Sequence, residues 1–267
     1  MPRSDVLAQL AALPGVAESA EEARREVDAL LWDRTLRERS HRLVNESALR
    51  GARATAALDG ADISLEALRS GAPLDRSPMG RLAAAALRVT AEVPAQVGVW
   101  GLSPMQVLAR LHLVAAMEFA PEGSLGRPRV EETADDPLRL GTPPPAAEVA
   151  ARLDSLATLL TRPTEAPALV VAAVAHGELL ALRPFSWGSG LVARATVRLV
   201  LADRGVDPSL LVAPEVGAYA LGRPSYVQAL RGYASGTGDG VAQWLIRHNA
   251  MVEVAARESR EVLASLH

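Results

Sequence analysis

A stripe of Leu, Val and Ala runs through strongly charged sequence from Glu18 to about Leu58, the pattern of one or two long amphipathic helices. Asp59-Gly60 ends that run, because Gly is the usual residue just past a helix stop. Ahead of it, Ser4 reads as the cap of a short first helix that Pro14 stops. After it, Ser64-Leu65-Glu66-Ala67-Leu68 opens a short helix, and Ser77-Pro78 starts another that runs to about Val93. Ser103-Pro104 repeats that signal for a helix reaching about Phe119. Further helices are predicted at 145–160, 166–181, 190–204, 224–233 and 238–264. Helix formers dominate, aromatic residues make up only 3%, and β-branched runs are rare, so the fold class is all-α.

One segment breaks this texture. Residues 121–145 are rich in Pro, Gly and charge. Within them, Leu125-Gly126-Arg127-Pro128-Arg129-Val130 and Leu138-Arg139-Leu140-Gly141 read either as the arms of a small β-hairpin or as a plain linker between two helical halves. Pro143-Pro144-Pro145 makes a stiff lead-in to the next helix. No fixed-period repeat is visible.

The length of 267 residues suggests one large domain or two small ones, and 49% hydrophobic residues suffice to bury a core. A formal net charge of -3 offers no basic surplus for nucleic acid or an acidic membrane, so neither partner is expected. Two absences exclude the most chemistry. Without Cys there is no disulfide, thiolate nucleophile, Cys-bound zinc or iron–sulfur cluster. Without Lys (all 28 basic residues are Arg) there is no Schiff base, no Lys-linked pyridoxal phosphate and no P-loop Lys. The same bias, with abundant Ala, is what a GC-rich coding sequence would leave, and the exclusions hold either way. No apolar signal core follows Arg3 and Asp5. The longest apolar run, Ala168 to Ala175, is far too short to span a bilayer, so a cytoplasmic location is expected.

Five His are present: His41, His112, His176, His248 and His267. None pairs with another at metal-ligand spacing, so no metal site is expected. Gly188-Ser189-Gly190 sets a Ser between glycines but lacks the strand and five-residue elbow of a hydrolase. The physically unusual stretch surrounds it. An apolar helix, Ala166 to Leu182, runs into a loop, and a new helix begins near Leu191 with Arg194 in its first turn. Pro184 ends the first helix. Gly188 and Gly190 let backbone N–H groups converge, and the next helix adds its own free N–H groups and positive dipole end. This is an anion site in outline, fit for a phosphate or for a carboxylate of the protein itself. An ordinary helix–loop–helix corner is the other reading.

The same stretch, Arg183-Pro184-Phe185-Ser186-Trp187-Gly188-Ser189-Gly190-Leu191-Val192-Ala193-Arg194, resembles the signature of the Fic (Fido) family, His-Pro-Phe-x-(Asp/Glu)-Gly-Asn-Gly-Arg-x-x-Arg. Pro184, Phe185, Gly188, Gly190 and Arg194 match. His176 resembles a His common on the helix leading into that motif, and Tyr226-Val227-Gln228-Ala229-Leu230 and Gln243-Trp244-Leu245 resemble the family's later helices. Gly126-Arg127-Pro128-Arg129, followed by Pro143-Pro144-Pro145, resembles its flap hairpin and next helix start. Thr55-Ala56-Ala57-Leu58-Asp59-Gly60 resembles the (Ser/Thr)-x-x-x-Glu-(Gly/Asn) motif of members with an N-terminal inhibitory helix. The resemblance implies a mainly helical Fic-type domain over 99–267 with a small β-hairpin flap, preceded by an N-terminal helical region over 1–98.

The departures decide the expected chemistry. The family's His takes a proton from a target hydroxyl. That position is Arg183, whose guanidinium stays protonated and has no acceptor. The family's acidic residue holds Mg²⁺ on the nucleotide phosphates. That position is Trp187, which offers no oxygen. Ser189 replaces the family's Asn, and Leu191 replaces its first Arg. The resemblance thus implies a catalytically degenerate member. Standard AMP transfer from ATP to a protein hydroxyl is not expected, nor is Mg²⁺. ATP or phosphate remains a candidate ligand for Gly188, Ser189, Gly190 and Arg194.

Thr55 and Asp59 share one helix face, and with Gly60 they form the inhibitory-helix-like element. Asp59 is one methylene shorter than the family's Glu. In the family the corresponding Glu pairs with the last Arg of the central motif, so the resemblance implies an ion pair between Asp59 and Arg194; independently, a carboxylate at a helix C-terminus meets the negative dipole end and needs a cationic partner. Trp187 reads as a stacking surface for a base, a plug or a core residue; Arg183 reads as a phosphate binder or a helix C-cap. Three functions remain. One is a binding or regulatory module, its anion pocket held closed by Asp59 and its flap hairpin open to an extended peptide of a protein partner. Another is an active nucleotidyl- or phosphoryl-transferase with altered chemistry. The third is a helical scaffold whose pocket Trp187 and the N-terminal helix close for good. A homodimer is left open.

Overall fold

The computed structural model describes residues 5–71 and 77–266. Ser4 and His267 lie outside the described residues, and Asp5 caps α1 (Val6–Ala11) by accepting from the Ala8 N–H. The charged stretch that follows is two helices, α2 (Val16–Leu31) and α3 (Leu36–Leu58). The break falls where Asp33 accepts from both the N–H and the hydroxyl of Thr35. Ser64 caps α4 (Leu65–Ser70) and Ser77 caps α5 (Pro78–Trp100), each accepting from the third residue on. The stop expected near Val93 does not occur. α5 continues through Pro94, because burial of Val93 and Trp100 outweighs one lost helix hydrogen bond. It also runs through the expected domain boundary at residues 98–99.

After α6 (Pro104–Ala116) and a 3-10 turn at Glu122–Ser124 come α7 (Ala146–Thr161), α8 (Ala168–Leu182) and α9 (Ser189–Asp203). The chain closes with α10 (Pro214–Ala220), α11 (Arg223–Ala234) and α12 (Gly238–Ser265). α8 is apolar all round and buried nearly all round, so it sits at the centre. It packs against α9, α11 and α12; α9 in turn packs against α5 and α6. α3 lies against α5 and α10. Its small residues Gly51, Ala52, Ala54, Ala56 and Ala57 bring its backbone close to its neighbours. One continuous hydrophobic core joins residues from the N-terminal helices with those of the later ones. Among the described residues no helix is long and apolar enough to cross a membrane.

The hairpin reading of 125–141 is corrected: among the described residues there is no strand. Pro128 and Pro137 have no N–H to give a ladder. Arg139 and Gly141 take positive φ values of 57° and 96°, outside the strand region. N–H groups of the segment find partners on the loop between α8 and α9 instead. Arg129 N–H bonds the Pro184 carbonyl and Asp135 N–H bonds the Ser186 carbonyl, each at 2.8 Å. The segment is therefore a coil strap laid on the loop between α8 and α9.

Candidate functional site

The loop between α8 and α9 is shaped by two left-handed residues. Gly188 (φ 75°) starts α9, and Arg183 (φ 47°) ends α8. A non-glycine residue there is strained, and the surrounding contacts hold it. The Ser189 hydroxyl accepts from the Phe185 N–H at 3.1 Å and lies 3.2 Å from the Phe185 carbonyl. Its hydrogen-bonding capacity closes the turn rather than facing an anion. Phe185 and Leu191 are buried in the core.

Over Gly190 lies the carboxylate of Asp59. A Cβ on Gly190 would sit 2.9 Å from Asp59 Oδ2 and 3.1 Å from both terminal nitrogens of Arg194, so a larger residue there would push the ends of the paired side chains aside. Asp59 Oδ2 pairs with Arg194 Nη2 at 2.5 Å, and the side chains are 5% and 1% exposed. Arg194 Nε donates to the Thr55 hydroxyl and Nη2 to the Thr55 carbonyl at 3.3 Å. Thr55 and Asp59, one turn apart on α3, thus grip one guanidinium. Burial opposes the charge on Arg194, but Asp59 and Tyr226 together outweigh it and raise its pKa. The first N–H groups of α9 have no partners within the helix, and the protein's own carboxylate stands beside them. Two buried atoms of the pair, Arg194 Nη1 and Asp59 Oδ1, have no hydrogen-bond partner. Gly60, at φ 108°, turns the chain away immediately after.

Arg183 does not reach back to its own helix carbonyls. Its Nη1 lies 3.3 Å from Asp136 Oδ2 in the strap. Asp136 also accepts from the N–H groups of Leu140 (2.9 Å) and Gly141 (2.8 Å), folding the strap around itself. The C-cap role falls to Arg129, which the sequence reading did not single out. Its guanidinium, 3% exposed, donates to the carbonyls of Leu182, Arg183, Glu131 and Pro144. Burial raises the pKa of the Asp135 carboxyl, with further contributions from Asp59 and Asp136. Carboxylates therefore already crowd the cradle. The cavity between strap and loop, bordered by Ser189, Gly190 and Arg183, measures about 10 Å³, room for about one water. Leu140 and Arg183 separate it from a groove of about 540 Å³ that Tyr233, Glu178 and Arg152 also line.

Trp187 stacks on Phe119, with ring centroids 3.8 Å apart and planes 5° from parallel, and Arg81 covers the far face of Phe119 at 4.6 Å. It is partly buried and packed against the core, so one indole face is already taken. Among the described residues, no group of three His, Asp or Glu could hold a metal ion.

Behind Arg194 lies a buried polar cluster. The Tyr226 hydroxyl and His176 Nε2 share a 2.8 Å hydrogen bond, and the ring of His248 stands edge-on to His176 at 5.3 Å. Burial pushes the Tyr226 hydroxyl up to about 12, against the pull of Arg194. Burial pushes His176 well below its ordinary value, helped by His248 and Arg194, and pushes His248 down to about 3. The tyrosine thus stays protonated and both imidazoles stay neutral. The sequence placed His176 and Tyr226 only by resemblance; no local pattern announced that they meet behind Arg194.

The sequence matches no family model and no curated protein. The fold is a different matter. A Fic family protein from Desulfovibrio desulfuricans G20 aligns with a TM-score of 0.77 at 19% identity, over 95% of this chain and 76% of that one. Fic-1 (aa134–508) from C. elegans aligns with a TM-score of 0.70 at 17% identity, over 94% and 73%. A variant of that worm protein aligns with a TM-score of 0.68 at 17% identity, over 93% and 73%. At these identities the shared property is the fold, and the chain has the helical Fic (Fido) fold that the 183–194 stretch implied.

Proposed function

We propose that this chain is a catalytically degenerate Fic-fold protein, a binding or regulatory module that keeps an anion site for a nucleotide phosphate under the control of Asp59. One observation carries the reading: the Asp59 carboxylate lies over Gly190 at the N-terminus of α9, paired with Arg194, where an incoming phosphate would have to lie. The site also fits a phosphate chemically. Arg194 Nη1 is a buried donor with no partner, and the space over Gly190 is taken only by the ends of the Asp59 and Arg194 side chains. The adjoining groove of about 540 Å³ has the size of a small-molecule site. Against transferase chemistry, Arg183 offers no acceptor for a proton and is paired with Asp136. Trp187 offers no oxygen to a metal.

Calorimetry with inorganic phosphate, and with ATP in the presence and absence of Mg²⁺, tests this on the wild-type chain and Asp59→Gly. The expected result is weak or no binding to wild type and at least tenfold tighter binding to Asp59→Gly, with Mg²⁺ making little difference. No heat from either protein would end the reading. Transfer of label from ATP to protein by Asp59→Gly would establish the altered transferase instead.

A further inference from the structure

The anion site is closed twice. Asp59, at the end of α3, fills the cradle from one side. The strap, pinned around Asp136, covers the loop from the other. One side chain touches both closures. Arg223, in the first turn of α11, donates from Nε to the Leu58 carbonyl at 2.9 Å and from Nη2 to the Pro137 carbonyl. Leu58 O is one of the last carbonyls of α3, which have no acceptor role within the helix, and a cation is favoured there. Pro137 O belongs to the residue after Asp136. A single rigid guanidinium fork thus joins the residue before Asp59 to the residue after Asp136.

Each closure also has its own fastening. Arg231, on the last turn of α11, donates to the Arg139 carbonyl in the strap at 2.7 Å. Arg53 of α3 pairs with Asp62 at 2.7 Å and donates to the Tyr219 hydroxyl at 3.1 Å, tying the Asp59-Gly60 corner to α10. Removing Arg223 therefore cuts the hydrogen-bonded link while each part keeps its own fastening.

We propose that Arg223 is a positioning residue that couples the two closures, so that withdrawing Asp59 loosens the strap and lifting the strap loosens Asp59. The coupling is reciprocal, as any linkage between two equilibria must be. Its consequence for the site is regulatory. A ligand entering the groove beneath Leu140, or a protein seated on the strap, acts on Asp59 without touching it. The inference rests on the reading of the site as a closed anion cradle.

Amide hydrogen exchange on the full chain without ligand tests it, in wild type, Asp59→Gly, Arg223→Gln and the double variant. Asp59→Gly is expected to speed exchange several-fold in peptides around residues 56–61 and also at Leu140 and Gly141. In the Arg223→Gln background the same substitution is expected to speed only the first group. The reverse arm uses Asp136→Asn, which should speed exchange around Asp59 only when Arg223 is present. Strap amides that ignore Asp59→Gly, or that respond equally with and without Arg223, would overturn the coupling. Should Arg223→Gln fail to fold, Arg223→Met serves in its place. Because the readout needs no ligand, failure of the coupling is distinguishable from failure of phosphate binding.

Discussion

Arg194 and Asp59 show what burial does to a charge pair. In water such a pair stabilises by about 1 kcal/mol or less, but buried charges are strongly unfavourable once a partner is gone. Both side chains are almost fully buried. Arg194→Ala is therefore expected to destabilise the chain by roughly 3–5 kcal/mol in denaturant unfolding, because Asp59 is left alone beside the negative end of α3. Asp59→Asn should cost less, since Arg194 keeps Thr55 and Tyr226 nearby. A loss below about 1 kcal/mol for Arg194→Ala would mean the pair is solvated in solution. The pair was legible in the sequence, because the resemblance of residues 55–60 to the inhibitory-helix motif implied Arg194 as the partner and the helix-end carboxylate asked for a cation. Ser189 was not: whether a hydroxyl faces a ligand or closes its own turn depends on where Phe185 sits, and only the fold places Phe185.

At the level of elements, α10 and the strap carry the lesson. α10 was not among the expected helices, and it carries Gly217 in its middle, where glycine weakens a helix signal. The structure gives that glycine a packing reason: a Cβ there would collide with the Met251 carbonyl of α12. Gly217→Ala would gain up to about 1 kcal/mol in an exposed helix. Here it is expected to destabilise by about 1–3 kcal/mol, since backbone must move to admit the methyl group. Chemical unfolding measures the sign, and a gain in stability would show that α10 and α12 have room to separate. The strap differs from the expected hairpin for a similar reason. Its composition permits two arms, but its N–H groups find carbonyls of the α8–α9 loop at 2.8 Å. Arg129 adds the charge that holds this arrangement on the end of α8.

At the scale of the molecule, three imidazoles on three helices are buried and neutral among the described residues: His112 on α6, His176 on α8 and His248 on α12. Burial pushes His112 down to about 4, partly offset by the Trp187 backbone. The His112 Nδ1 accepts from the Gly126 N–H at 2.9 Å and its ring stacks on Phe185, so it joins α6, the strap and the loop. Their folded pKa values lie below the unfolded value near 6.5, so the unfolded chain binds more protons as pH falls through that value. The stability they allow is complete above about pH 6.5 and declines toward pH 4, by about 1.4 kcal/mol per pH unit for each proton. Denaturant midpoints measured from pH 7.5 to 4.5 should fall accordingly. His112→Asn, which keeps an acceptor for Gly126, should flatten the slope by about one proton. A profile flat below pH 6.5 would mean these histidines are hydrated in solution.

The sequence by itself determined the helical class, most helix positions and which side chains the 183–194 loop carries. These are local properties: periodicity, caps and the identity of a side chain such as Arg183 or Trp187 need no neighbours to be read. Tertiary structure alone decided what each group faces. It placed Asp59 over Gly190, Trp187 on Phe119, Arg183 on Asp136, and Arg223 between Leu58 and Pro137. Those pairings join residues separated by tens to more than a hundred positions. No periodicity encodes them, because they follow from how the twelve helices of the described residues share one core.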